Sequence, residues 1–91
     1  FAPDGNVTRE QVATMLYRYA KWKNYDVSAS GDISSFPDGN LTHEYAKDAI
    51  SWAIGAGILL GNDKGNLTPR GNATRAEIAT MIMRFMEKYD A

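Results

Sequence analysis

The sequence predicts an all-α fold: a small helical bundle of about three main helices with Gly/Pro/Asn-rich loops, built from helix-loop-helix repeats. Three observations predict it. Apolar residues recur at three- and four-residue spacing in two long segments, which is the period of one helix face. Each of these segments begins just after a threonine placed as an N-cap, with Gln or Glu three residues on, the signature of a capping box. The two segments are also copies of one another, and internal self-similarity indicates a repeat architecture.

Taken in order, a Pro3 and Gly5-Asn6 turn leads to Thr8, with Gln11 at the capping-box position. The first helix then carries Val12, Met15, Leu16, Tyr19 and Trp22 on one stripe, over about four turns. Core is the expected place for Tyr19 and Trp22, since both lie on that stripe. Lys23 to Ser35 reads as a polar connector containing Asn24, Ser28, Ser30 and Gly31. A second helix comes next, with Ala46, Ala49, Ile50, Ala53 and Ile54 on a face small enough for close approach, ended by Gly55, Gly57 and Gly61. Gly61 to Gly71 is a Gly/Asn-rich turn region. Thr74 and Glu77 then cap a third helix, whose stripe is Ile78, Met81, Ile82, Phe85 and Tyr89. No segment reads as a strand.

The repeat aligns Phe1 to Tyr25 with Leu67 to Ala91 without a gap. Pro3/Pro69, Gly5/Gly71, Asn6/Asn72, Thr8/Thr74, Arg9/Arg75, Ala13/Ala79, Thr14/Thr80, Met15/Met81 and Arg18/Arg84 coincide. Turn, cap and apolar stripe are thus preserved together. The stretch from Pro37 to Thr42 echoes Pro3 to Thr8, but the residues after Thr42 diverge, so it shares a turn-then-cap device and is not a third full repeat.

Ninety-one residues with 44% hydrophobic content suit one domain. A chain of this size buries only about 60–65% of the surface it exposes when unfolded, so help from a neighbour is expected. The net charge of −1 removes the electrostatic case for nucleic acid. Without cysteine there is no disulfide framework, thiolate metal site or cysteine nucleophile. The longest apolar run, Ala53 to Leu60, is broken by Gly55 and Gly57 and falls short of the ~20 residues a membrane span needs. The chain opens at Phe1 without a charged and then apolar leader, and Phe1 is read as lying inside a longer protein.

Arg9 and Arg75 stand just inside helix starts, where unpaired N–H groups and the positive end of the dipole attract anions, and where a guanidinium adds a fork matched to a carboxylate or phosphate. The alternative is that each arginine merely pairs with a neighbouring acid. His43, the single histidine, lacks the partners that nucleophilic or metal chemistry requires and reads as solvated in a helix's first turn. The loops around Gly5 and Gly65 resemble EF-hand loops only loosely, because the twelfth position falls on Gln11 or Gly71 rather than a bidentate acid. No metal site or cofactor is expected. Tyr45 and Trp52 could border a groove and stack on a sugar, or fill a core. The scattered acids Asp26, Asp32, Asp38, Asp48 and Asp63 form no opposed catalytic pair, and no enzyme is expected.

Phe36-Pro37-Asp38, Tyr45-Ala46-Lys47-Asp48-Ala49-Ile50, Trp52-Ala53, Gly57-Ile58, Gly61, Leu67-Thr68-Pro69 and Thr74-Arg75-Ala76-Glu77 occur in an order that resembles one complete motif of the S-layer homology family. Residues 1–27 resemble the second half of a preceding motif, with Thr8-Arg9-Glu10-Gln11 at the Thr-Arg-Ala-Glu position; residues 28–35 form the connector and residues 36–91 the complete motif. The resemblance implies an extracellular, non-catalytic module of a Gram-positive surface protein, anchored to the cell wall or S-layer by binding a secondary cell-wall polysaccharide. It also implies partner motifs, from the same chain or a second copy, packed with pseudo-threefold symmetry around grooves that hold acidic, often pyruvylated sugar. By resemblance, Arg9 and Arg75 match the family's ligand-binding arginine, Asp38 its early aspartate, and Gly57 and Gly61 its glycines near the groove. Tyr45 stands where the family usually has Trp; it keeps a stacking face and alters the donor. The reading from another class is a structural helical module that assembles with itself and binds no sugar.

Overall fold

The computed structural model describes residues 7–61 and 65–90. It contains three α-helices: α1 (Arg9–Trp22), α2 (Lys47–Gly55) and α3 (Arg75–Asp90). Three 3₁₀ turns, Ile33–Ser35, Gly39–Leu41 and Glu44–Ala46, occupy the segment between α1 and α2. Among the described residues there is no strand, only an isolated antiparallel bridge between Thr8 and Asn72. The expected Pro3 and Gly5-Asn6 turn, the EF-hand-like loop around Gly5 and the Asn62 end of that around Gly65 lie outside the described residues.

Both long helices start as their sequences require. The Thr8 N–H donates to Gln11 Oε1 (2.8 Å) and the Gln11 N–H to Thr8 Oγ1 (3.2 Å), closing the capping box of α1. The Thr74 N–H donates to Glu77 Oε1 (2.8 Å) and the Glu77 N–H to Thr74 Oγ1 (3.1 Å), so α3 starts in the same way. Each box satisfies N–H groups that the helix itself leaves unpaired.

The core gathers Val12, Ala13, Leu16 and Ala20 of α1, Ala49, Ile50, Trp52 and Ala53 of α2, and Met81 and Phe85 of α3, with Ala46, Ile58, Leu59 and Leu67 from the connections. Ala13 and Ala20, small on one side of α1, turn that side toward the core. Tyr19 and Trp22 are displaced to the flank, contrary to the expected stripe: they are 48% and 75% exposed. Trp52, by contrast, is buried, 1% exposed. Its ring meets Phe85 edge-on (6.1 Å) and Tyr17 at a tilt (5.4 Å). Its Nε1–H donates to Tyr89 Oη (3.0 Å), and the Tyr89 hydroxyl donates to the Asp26 carbonyl (2.8 Å). The indole donor is thereby satisfied inside an apolar site, as burial demands.

The expected polar connector is partly buried. Val27, Ala29 and Ile33 pack against the core. The Gly31 N–H donates to the Ser51 carbonyl (2.7 Å), and Ser51 Oγ donates back to the Gly31 carbonyl (2.9 Å). A Cβ at Gly31 would lie 2.3 Å from Ile54 Cγ2 and 2.9 Å from the Gly55 nitrogen. Gly31→Ala is therefore expected to destabilise by about 1–3 kcal/mol through overpacking against α2. Urea unfolding should show a lower midpoint at an unchanged slope.

Candidate functional site

Helix α1 enters the molecule by docking its first turn on the segment that leads to α3. The Arg9 N–H donates to the Gly71 carbonyl (3.1 Å), the Glu10 N–H to the Pro69 carbonyl (3.0 Å), and the Ala73 N–H to the Val7 carbonyl (2.7 Å). With Gln11 N–H on the Thr8 side chain, the first three donors of α1 are taken by protein atoms. The backbone at this helix start is thus closed to an anion, contrary to the expectation of unpaired N–H groups beside Arg9. The Arg9 side chain crosses Gly71, where a Cβ would fall 2.6 Å from Nη1, and pairs through Nη2 with Glu77 Oε2. The alternative for Arg9, an ion pair with an acid, is the arrangement present. At α3, among the described residues, no carbonyl takes the N–H of Arg75 or Ala76 in this way, and Arg75 is exposed.

A groove of about 270 Å³ opens beside the Arg9–Glu77 pair. Ile58, Leu59 and Leu60 form one wall; Ala76, Glu77, Thr80, Met81 and Arg84 of α3 form the other. Gly57, at a φ of +76° just after α2, and Gly61, packed on Phe36, bracket the Ile58–Leu60 wall without lining the groove themselves. Arg75 is also outside the lining, although its neighbours Ala76 and Glu77 are in it. Arg84 brings a second guanidinium to the groove. Its coincidence with Arg18 in the internal alignment is the one sequence signal for it. A shallower groove of about 380 Å³ lies on α1, lined by Gln11, Thr14, Met15, Arg18 and Tyr45. Tyr45 is thus at a groove and Trp52 is not.

Asp38 lies elsewhere, as a loop clamp. One carboxylate oxygen accepts from the Leu67 N–H (2.8 Å), the other from the Thr68 N–H (2.8 Å). Partial burial pushes its carboxyl upward, but the two N–H groups outweigh this and hold it below the usual aspartate range. Glu77 is held low as well, first by the Thr74 N–H and then by the Arg9 guanidinium.

Glu10 is a residue that sequence reasoning missed. Its carboxylate is 2% exposed and accepts from the His43 N–H (3.0 Å) and the Tyr45 hydroxyl (3.3 Å), and it pairs with His43 Nδ1. His43 keeps the exposed position expected for it, its side chain 48% accessible, and is in addition tied to α1 through its ring and its backbone. The Tyr45 hydroxyl is pushed up, by burial and then by the charge of Glu10. Among the described residues no group of His, Asp or Glu could hold a metal ion, and no helix is long and apolar enough to cross a membrane.

The depressed carboxyls set a pH dependence. Each binds its proton more weakly folded than unfolded, so its contribution is complete above the unfolded value of about 4 and is lost as pH falls through the lower folded value. Asp38→Asn leaves one backbone N–H without its charged acceptor. It is expected to cost about 1–3 kcal/mol at pH 7 and to flatten the acid limb below pH ~4. Unfolding curves at pH 7 and pH 3 measure both effects.

Comparison with known proteins adds the context of these residues. The S-layer homology domain profile matches residues 35–79. The chain is 31% identical over 94 residues to the Surface-layer 125 kDa protein of Lysinibacillus sphaericus, covering 100% of this chain and 8% of that protein. It is 33% identical over 90 residues to the Cellulosome-anchoring protein of Acetivibrio thermocellus, covering 97% of this chain and 19% of that protein. An Endoglucanase of Bacillus sp. is 31% identical over 88 residues, covering 97% of this chain and 9% of the enzyme. The chain thus spans less than a fifth of the length of each of these relatives. No solved structure matches it. From the ordered run between Phe36 and Glu77, the all-helical fold and the profile match, the chain belongs to the S-layer homology domain family.

Proposed function

We propose that this chain anchors its parent protein to the bacterial cell wall by binding an acidic secondary cell-wall polysaccharide in the groove beside Arg9 and Arg84. Anchoring at the extracellular cell surface is in keeping with the family and with relatives named as surface-layer and cellulosome-anchoring proteins. The module is non-catalytic; the enzyme among the relatives carries the similar segment as 9% of its length. The observation that carries the glycan reading is the concentration of guanidinium groups at one concave surface. Two arginines reach a groove with an apolar wall, which suits a ligand with both a carboxylate and the flat apolar face of a sugar. Pyruvate ketals and uronic acids supply that combination. Arg75, exposed at the start of α3, is a third cation for the same polymer. Tyr45, with its exposed ring beside Arg18, offers a stacking face on the second groove. Asp38, Gly57 and Gly61 act on the site indirectly, by holding the 67–68 segment and bracketing the Ile58–Leu60 wall. Residues 1–27 and 36–91 are read as a half motif and a complete motif, joined by the connector at 28–35.

Arg84 makes no ion pair with a described residue, so its replacement tests ligand binding without breaking a salt bridge. Arg84→Ala is expected to weaken binding to purified wall polymer by about 10- to 100-fold, the effect of one charge-assisted hydrogen bond. Arg9→Ala should do the same. Unchanged affinity in the Arg9→Ala, Arg75→Ala double variant removes the ligand role. Pull-down by cell-wall sacculi, before and after stripping of secondary polymer, identifies the polymer as the target.

A second reading, assembly with further motifs or with a second copy, is favoured by the apolar flank that α1 and α3 expose. Tyr19, Ile82 and Met86 border a groove of about 380 Å³ floored by Leu16, Phe85 and Tyr89. Concentration-dependent sedimentation is expected on this reading; a strict monomer at high concentration counts against it.

A further inference from the structure

The Glu77 carboxylate has two separate tasks. Oε1 accepts from the Thr74 N–H (2.8 Å) and completes the cap of α3. Oε2 faces the other way and takes the Arg9 guanidinium. The first task needs no charge, because in α1 the neutral Gln11 closes the same box, accepting from the Thr8 N–H at the same 2.8 Å. What the charge at residue 77 adds is the pair with Arg9.

That pair sits in the groove wall rather than beneath it. The Arg9 side chain is 19% exposed and that of Glu77 39%, so Arg9 is sheltered and Glu77 borders solvent. Both residues line the groove with Arg84, whose guanidinium has no ion pair among the described residues. An incoming carboxylate that reaches for the Arg9 fork meets a carboxylate already there. We infer that Glu77 is a built-in competitor for Arg9, so that an acidic ligand binds by displacing the Glu77 carboxylate from the guanidinium while Glu77 keeps its cap to Thr74.

This inference rests on the reading that the Arg9 groove holds an acidic sugar. It adds a source of selectivity. A neutral sugar gains nothing from opening the pair and leaves it closed. A carboxylate gains only if it also reaches a second contact in the groove, and Arg84 is the group placed to provide one. Small solvent anions, which lack the sugar body to fill the Ile58–Leu60 wall, are rejected on the same ground. The cap and Arg9 hold the Glu77 carboxyl below its ordinary value, so the competitor stays ionised at neutral and mildly acid pH.

The test uses acidic polysaccharide released from bacterial sacculi, together with the same polymer after reduction of its carboxyl groups. Glu77→Gln removes the competing charge and keeps a cap of the kind Gln11 already forms, so its melting transition should remain cooperative. Binding of the acidic polymer is expected to tighten by about two- to fivefold in Glu77→Gln, the range an exposed ion pair provides. Binding of the reduced polymer should not change. The gain should vanish when Arg9→Ala is added, since the competition acts only through that guanidinium. Equal or weaker binding by Glu77→Gln, with Arg9→Ala still losing affinity, overturns the competitor role and leaves Arg9 as the ligand residue. Unchanged binding by Arg9→Ala overturns the groove reading itself, and the competitor with it.

Discussion

The structure depends on how the first turn of α1 seats on the segment 67–73. A helix start leaves several N–H groups without partners, and those of Arg9 and Glu10 are met by the carbonyls of Gly71 and Pro69. Because the partners lie about sixty residues away in sequence, a local requirement of one helix becomes a long-range tie between α1 and the entrance to α3. The Ala73 to Val7 bond and the Thr8–Asn72 bridge extend the tie, and the Arg9–Glu77 pair closes it at the side-chain level. From the other side Asp38 grips Leu67 and Thr68 through both carboxylate oxygens. The 67–73 segment is thus held at both ends, and the Ile58–Leu60 wall and α3 stand on either side of a groove.

The same seating decides the electrostatics of the surface. Where backbone donors are consumed by backbone acceptors, the end of the helix dipole is largely answered, and only side-chain charge remains to recruit an anion. At α1 this leaves the Arg9 guanidinium, itself shared with Glu77. At α3, among the described residues, no backbone acceptor closes the start in this way, and Arg75 stands exposed. Two arginines at matching places in the sequence therefore offer an anion different things: a sheltered fork that must be released, and an exposed cation at a more open helix start. The residue that separates the two starts, Glu10 against Ala76, has a structural consequence as well. Buried Glu10 holds His43 and Tyr45, and so fixes the entry to α2 against α1.

The aromatic residues show how closely packing and polarity are joined in a chain this short. Trp52 fills the space between the three helices, and its one polar atom is met by Tyr89, whose hydroxyl in turn reaches the Asp26 carbonyl. Tyr25 stacks on Tyr89 at 4.7 Å, which brings the start of the connector onto α3. Leaving the indole N–H unpaired would cost what a lost buried hydrogen bond costs, so α3 is held by this relay as well as by Met81 and Phe85.

Local chemistry is legible in the sequence. The caps at Thr8 and Thr74, the close-packing alanine face of α2, the glycines that end it and the ordered run of family residues all depend on neighbours a few positions away, and the helical period exposes them. Tyr19 and Trp22 depart from expectation because period alone cannot choose among adjacent stripes of one helix; the small Ala13 and Ala20 set the facing, and that depends on how near α2 approaches. Likewise the connector reads as polar because Val27, Ala29 and Ile33 are isolated in sequence, and the Gly31–Ser51 contact that buries them is made between distant segments. Glu10, the role of Asp38 as a clamp, and the choice of Glu77 as the acid that Arg9 meets have no local signature. The sequence by itself determined the helices, their starts and the two arginines; only the tertiary structure decided which N–H groups and which charges were left for a ligand, because those are satisfied by partners that folding brings from elsewhere in the chain.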